Sequence, residues 1–184
     1  MKFHEMNIVG LDRKLPLCPL TDDLYIAGFV MFGDVEITEK CAKELLDRAP
    51  EFDVIVTAES KGIPLAYEMA RQCGKPYVVL RKAKKLYMVD TITVQVKSIT
   101  TEHVQTLTVG SIEADTIRGK RILAVDDVIS TGESLAAMEA LINKCDGNIV
   151  GKMAVLAEGD ATRRDDIIYL EKLYLFTPDG EIIE

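Results

Sequence analysis

The sequence predicts an α/β protein built on a doubly wound, mostly parallel sheet, and three observations carry that reading. Short continuous runs of β-branched and apolar residues recur at 53–57, 77–80, 121–125 and 149–156. A strand buried on both faces reads this way, whereas a half-exposed strand alternates. Between the runs lie segments of ten or more residues with apolar positions three and four apart, the helical period. Alternation at this spacing implies βαβ units, whose crossover helices cover both faces of a parallel sheet.

Taken in order, Val35 to Arg48 reads as an amphipathic helix with Val35, Cys41, Ala42, Leu45 and Leu46 inward. Asp53–Thr57 is the first buried strand. After Gly62 a helix runs from Ile63 to Cys73; Pro64 suits its first turn and Gly74 closes it. Tyr77–Leu80, Arg121–Val125 and Ile149–Leu156 are the next strands. Leu135, Met138, Leu141, Ile142 and Cys145 share one helical stripe that ends at Gly147. One stretch breaks the alternation. Residues 91–96 and 103–109 follow period two, about six residues apart, and form a long hairpin. Such a hairpin packs poorly as a layer and is expected to be a flap over a site, with a plain edge hairpin as the alternative. Lys97, Glu102 and His103 are its polar candidates. From Leu173 the tail reads as a strand, a Pro-Asp-Gly turn and a return strand.

Composition narrows the function. Of the 184 residues, 48% are apolar and 28% charged, which supports a packed core rather than disorder. The formal net charge of −8 argues against a nucleic-acid binder working by bulk electrostatics. No stretch is apolar for long enough to span a membrane, and Met1–Glu5 opens no secretory signal. Cys18, Cys41, Cys73 and Cys145 lack C-x-x-C spacing and have only His4 and His103 beside them, so no zinc site is expected. The reading is a reduced, cytoplasmic protein.

In open α/β sheets ligands sit beyond the carboxyl ends of the strands. There, Ile122–Val125 leads into Asp126-Asp127, then Val128-Ile129, then Ser130-Thr131-Gly132-Glu133-Ser134 opening a helix. Successive backbone N–H groups at a helix N-terminus, with three hydroxyls, make a cradle for a phosphate monoester. Gly132 permits close backbone approach. Two adjacent carboxylates repel that phosphate; they suit a sugar's vicinal hydroxyls, a magnesium ion or a developing cation. Neither G-x-x-x-x-G-K-[ST] nor G-x-G-x-x-G occurs. The site therefore reads as one for a sugar 5-phosphate. Its bland alternative is an acidic strand end before a helix capped by Ser130 or Thr131.

Ile122–Ser134 (ILAVDDVISTGES) resembles the phosphoribosyl-pyrophosphate (PRPP) motif of type I phosphoribosyltransferases, with strand, acidic pair and S-T-G turn in order. Ala58-Glu59-Ser60-Lys61-Gly62 resembles that family's pyrophosphate loop, and Arg81–Leu86 the R-K-x-x-K-L segment of its adenine branch. Lys61–Tyr67 and Val104–Val109 are also similar to the PRPP-binding domain of the Gram-positive purine operon repressor. The hairpin and Arg81-Lys82 are similar to xanthine phosphoribosyltransferase. The resemblance covers about Val35 to Val155. It departs from the adenine enzymes in the flap, where Val96-Lys97-Ser98-Ile99-Thr100 stands in place of their Glu-Tyr-Gly.

The resemblance implies a purine phosphoribosyltransferase of salvage, for adenine first and xanthine next. It would use Mg²⁺, take PRPP and a purine base, and yield pyrophosphate and a nucleoside monophosphate. The alternatives are a non-catalytic PRPP-sensing regulator and an enzyme for a non-purine acceptor. Implied catalytic residues are Asp126 and Asp127, which also face the metal, mostly through substrate and water. Ser130, Thr131, Gly132, Glu133 and Ser134 would hold the 5-phosphate. Glu59, Ser60, Lys61, Gly62, Arg81, Lys82 and Lys85 would hold pyrophosphate, with a cis peptide at Glu59–Ser60. The whole chain, 1–184, would be one domain with its core at 35–157 and the flap at 91–109. A hood over the base would come from 1–34 and 158–184, where Leu24, Tyr25 and Phe29 are base-binding candidates. The basic segment after the second strand implies a homodimer. No membrane or nucleic-acid partner is implied.

Overall fold

The computed structural model describes residues 2–97 and 104–183. Five strands make a parallel sheet in the order β10-β9-β8-β4-β5: β4 (Val54–Ala58), β5 (Tyr77–Leu80), β8 (Arg121–Ile129), β9 (Asn148–Glu158) and β10 (Ile168–Leu173). The crossover helix α2 (Ile63–Cys73) leads outward from β4 to β5, and α4 (Glu133–Lys144) leads from β8 to β9 in the opposite direction. Adjacent β4 and β8 are therefore the point at which the winding reverses. Side chains of β4, β8 and β9 alternate between two cores. Ile55, Leu123, Val125, Met153 and Val155 join the core of α1 (Val35–Arg48) and α2. Val54, Val56, Ile122, Ala124 and Ala154 join that of α4 and α3 (Ser111–Ile117). Burial on both faces is what produced the unbroken apolar runs.

The helices follow their sequence signals. Asp34 caps α1, accepting a hydrogen bond from the Ile37 N–H at 3.2 Å. Gly74 closes α2 in the left-handed region. Val35 departs from the expected inward stripe: it sits in the first turn of α1 and is exposed. Ile37 and Thr38 are buried in its place. After α4 the left-handed residue is Asp146 rather than Gly147, which instead lets Ile117, Ile122 and Ile142 close around its backbone.

The two ends of the chain meet in a second, antiparallel sheet, ordered β1-β2-β3-β11-β12. It combines β1 (Phe3–Ile8), β2 (Leu11–Pro19) and β3 (Tyr25–Ala27) with β11 (Leu175–Phe176) and β12 (Ile182–Ile183). Not all of 158–184 is peripheral, however. Residues 168–173 form β10, which extends the central sheet beside β9. The hairpin of β6 (Ile92–Lys97) and β7 (Val104–Val109) also differs from expectation. It packs on the α4 face, burying Leu107 and Val109, because its apolar side meets the same core as β5. Its base is tied to the sheet by a bridge in which Arg81 and Thr108 exchange N–H···O bonds of 2.9 and 2.8 Å. Glu102 and His103 lie outside the described residues.

Candidate active site

At the winding reversal the two central strands part. β4 pairs with β8 from Val54–Ile122 to Val56–Ala124. β8 continues to Ile129 paired only with β9. Asp126 and Asp127 thus lie within the strand, not past its end at Val125 as the sequence suggested, and they line the crevice where its β4 neighbour is lost. Successive strand residues face opposite sides. Asp127 is buried, with Lys61 Nζ 2.8 Å from its Oδ2, an ion-pair distance without hydrogen-bond alignment. Asp126 Oδ1 accepts the Asp127 N–H at 2.9 Å. Burial, followed by the neighbouring Asp127 charge, raises the pKa of the Asp126 carboxyl above the usual carboxylate range.

The turn after β8 builds the second element. Gly132 is the N-cap of α4 in the left-handed region (φ 78°) and has no side chain to cap the helix, so neither Ser130 nor Thr131 serves as its cap. The first amides of α4 remain directed outward. Residues Ser130 to Leu135 line a cavity of about 190 Å³ together with Asp126, Val128, Ile129 and Gln105 of β7. Ser130, Thr131, Gly132, Glu133 and Ser134 are therefore all brought together. Such a pocket of amides and hydroxyls at a helix N-terminus accommodates a phosphate group.

The turn after β4 is the third. The Glu59–Ser60 peptide is cis, where the resemblance placed it. Gly62 opens α2, and a Cβ there would lie 2.4 Å from Thr57 Oγ1 and 2.9 Å from Asp126 Oδ1. Both distances are shorter than real Cβ contacts, so the loop lies this close to Thr57 of β4 and Asp126 of β8 because this residue is glycine. The basic segment gathers on one carboxylate. Glu59 Oε1 lies 3.5 Å from Arg81 Nη1 and 3.7 Å from Lys85 Nζ, and Glu59 Oε2 accepts the Lys82 N–H at 3.1 Å. The Lys82 amide first, then the charges of Lys85 and Arg81, hold the Glu59 carboxyl below its ordinary value. Glu59 thus draws the basic segment toward the turn after β4.

The base-binding candidates fare unevenly. Phe29 is buried in the core and has no face left for a base. Leu24 and Tyr25 are half-buried; Leu24 O closes a turn, and Tyr25 pairs with Pro19 and Phe176. Four other residues border these turns and were missed from sequence. Thr57 Oγ1 is buried without a hydrogen-bond partner; a hydroxyl closing an apolar strand was the available signal. Gln105 reaches the phosphate cavity from the hairpin. Burial raises the Glu158 carboxyl above its ordinary value, while Lys61 opposes the rise. The Arg164 guanidinium lies against Gly132. No local pattern marks the last three.

A doubly wound sheet with a hydroxyl-rich turn and an acidic pair at its winding reversal defines an open α/β protein with its ligand crevice at the switch point. The chain belongs to the phosphoribosyl transferase domain family, whose model matches residues 35–174. It is 34% identical over 171 residues to the adenine phosphoribosyltransferase of Bifidobacterium longum (strain DJO10A), covering 90% of this chain and 82% of that protein. It is 30% identical over 127 residues to the purine biosynthesis transcriptional repressor of Bacillus subtilis (strain 168), covering 69% of this chain but only 43% of the repressor. The crystal structure of an adenine phosphoribosyltransferase from Thermoanaerobacter pseudethanolicus superposes with a TM-score of 0.67 at 20% identity, covering 92% of this chain and 95% of that one. This last likeness concerns the fold.

Proposed function

We propose that this chain transfers ribose 5-phosphate from PRPP to a purine, adenine first and xanthine next, releasing pyrophosphate. The supporting observation is the junction of the uncapped α4 turn with the Asp126–Asp127 pair at the winding reversal. The base nitrogen gains the ribose C1 and releases its proton to the medium, while the C1–O bond breaks and its electron pair leaves with pyrophosphate. The transition state resembles an oxocarbenium ion, positive on the sugar and increasingly negative on the departing group. Asp126 and Asp127 hold the ribose hydroxyls and face the developing cation. The 130–134 turn holds the 5-phosphate. Lys61, Arg81, Lys82 and Lys85, with the Ser60 and Gly62 amides, take the leaving anion.

The donors fit a magnesium ion held in part by the substrate. Asp126 and Asp127 supply hard carboxylate oxygens, and Asp127 Oδ2 is buried without an aligned hydrogen bond and already faces a cation, Lys61. Bound with PRPP, Mg²⁺ would neutralise pyrophosphate charge. Lys61 then turns from Asp127 to the leaving group. The antiparallel sheet of the chain ends forms the hood, with Leu24 and Tyr25 toward the base, and the β6–β7 hairpin, seated on α4, shields the phosphate side of the site from water through Gln105. Leu86, Tyr87 and Val89 are exposed on the cationic segment and would seat it against a second copy in a homodimer. The compartment is cytoplasmic; among the described residues no helix is long and apolar enough to cross a membrane.

The test supplies PRPP and Mg²⁺ with adenine, xanthine, guanine, hypoxanthine, uracil or orotate and follows pyrophosphate. The proposal expects turnover with adenine, or failing that xanthine. Turnover with uracil or orotate alone points to a non-purine acceptor. Tight PRPP binding without turnover on any base makes the chain a sensor.

A further inference from the structure

The 130–134 turn leaves a charge problem. A phosphate monoester is a dianion near neutral pH, yet among the described residues that line the cavity at the turn there is no basic side chain. The cations placed in the crevice above attend the other end: Lys61 meets Asp127, and Arg81 and Lys85 meet Glu59.

Arg164 lies behind the turn, against Gly132. It follows the 3-10 turn Gly159–Arg163 that leaves β9. Its Nε and Nη2 donate to the two oxygens of Asp166 at 2.8 and 2.7 Å, a fork that fixes the plane of the guanidinium. The remaining nitrogen, Nη1, stands 2.9 Å from where a Cβ on Gly132 would be. Asp166 is held from behind by Lys152 Nζ at 2.5 Å, and Lys152 also reaches Glu139 Oε1 of α4 at 2.7 Å. Charges of alternating sign thus run Glu139–Lys152–Asp166–Arg164 and end in a cation at the phosphate turn. Gly132 is doubly constrained, by its left-handed backbone and by the guanidinium occupying its side-chain space.

We propose that Arg164 is the charge-balancing and positioning cation of the ribose 5-phosphate subsite, acting from behind the Gly132 turn. The inference rests on the proposed function, because it needs the turn to hold a phosphate ester. Its role differs from that of Lys61 and Arg81, which face the group that departs. Removing Arg164 should therefore weaken ligands bearing a 5-phosphate and spare those lacking one.

The experiment titrates wild-type, Arg164→Gln and Arg164→Lys proteins with ribose 5-phosphate and, separately, with magnesium pyrophosphate, and records thermal unfolding of each. The glutamine variant should bind ribose 5-phosphate roughly ten-fold more weakly, as expected for the loss of a partly buried charge held close behind the anion. Its pyrophosphate affinity should stay within about twofold on the same reasoning. Lysine should restore part of the loss. Unchanged ribose 5-phosphate binding in Arg164→Gln, or equal loss of both ligands, overturns the inference while leaving the proposed function standing. If the folded wild-type protein binds neither ligand, both fall.

Discussion

The turns after β4 and β8 occupy equivalent places, each joining a parallel strand to its crossover helix at the winding reversal. They are built from opposite materials. The β8 turn is amides and hydroxyls around a left-handed glycine, on a strand held by β9 through Ile129. The β4 turn carries Lys61 and draws Arg81, Lys82 and Lys85 from the end of the neighbouring strand around Glu59. A group that keeps its charge through the reaction needs fixed dipoles; a group that gains charge as it leaves needs full cations that can shift. The β4 turn reaches the strand that leads into the other turn through Gly62, which lets it lie against Asp126.

This contrast can be broken at the acids first. Asp127→Asn removes the charge facing both Lys61 and the sugar, and turnover should fall by on the order of 10²- to 10³-fold. A fall below about tenfold in steady-state kinetics would detach Asp127 from the chemistry. At the cationic turn the effect should be smaller and appear in binding: Arg81→Ala should raise KM for PRPP by a contact of roughly 1.5–3 kcal/mol. A change under about threefold would withdraw Arg81 from the site. The junction itself is tested by Gly62→Ala, whose methyl must displace Thr57 Oγ1 and should cost roughly 1–3 kcal/mol in urea unfolding. Adding Thr57→Ala should recover part of that cost, and strict additivity would show that the two do not meet.

The smallest expected effect has opposite signs at the two turns. The folded-state pKa of Asp126 is raised, chiefly by burial. Its contribution is therefore full below the unfolded pKa and lost as pH rises through the folded one, so Asp126→Asn should gain stability relative to wild type with rising pH. The pKa of Glu59 is lowered, first by the Lys82 amide. Its contribution is present above the unfolded pKa and lost as pH falls, so Glu59→Gln should be the less stable protein at neutral pH and converge with wild type in acid. Thermal melts from about pH 3 to about pH 8, which span ordinary carboxylate titration and neutrality, should show these opposite slopes. Parallel slopes would mean that both carboxylates share one environment.

Much of this contrast was legible in the chain. The buried strands announced themselves because both faces are covered, and the S-T-G turn because its residues are contiguous. Illegible features depend on residues far apart in sequence. Nothing local says that β8 runs past Val125 into its aspartates; pairing of Ile129 with Ala157 decides that. Strand β10 is masked because Glu171-Lys172 interrupts both alternation and an apolar run, and its edge position beside β9 defines it. Phe29 has the chemistry of a stacking residue but is taken by the core. Arg164 and Gln105 approach the phosphate turn from different elements, and their neighbours in sequence give no hint of it.

The central claim is that the turn following β8 and its two acids grip a phosphorylated ribose, and calorimetric titration of folded protein with PRPP and Mg²⁺ examines it most directly. Saturable binding at one site per chain, weakened in Asp127→Asn and displaced by a purine nucleoside monophosphate, is the predicted result. Absence of heat with PRPP and with every nucleoside monophosphate, from protein that melts cooperatively, would contradict it.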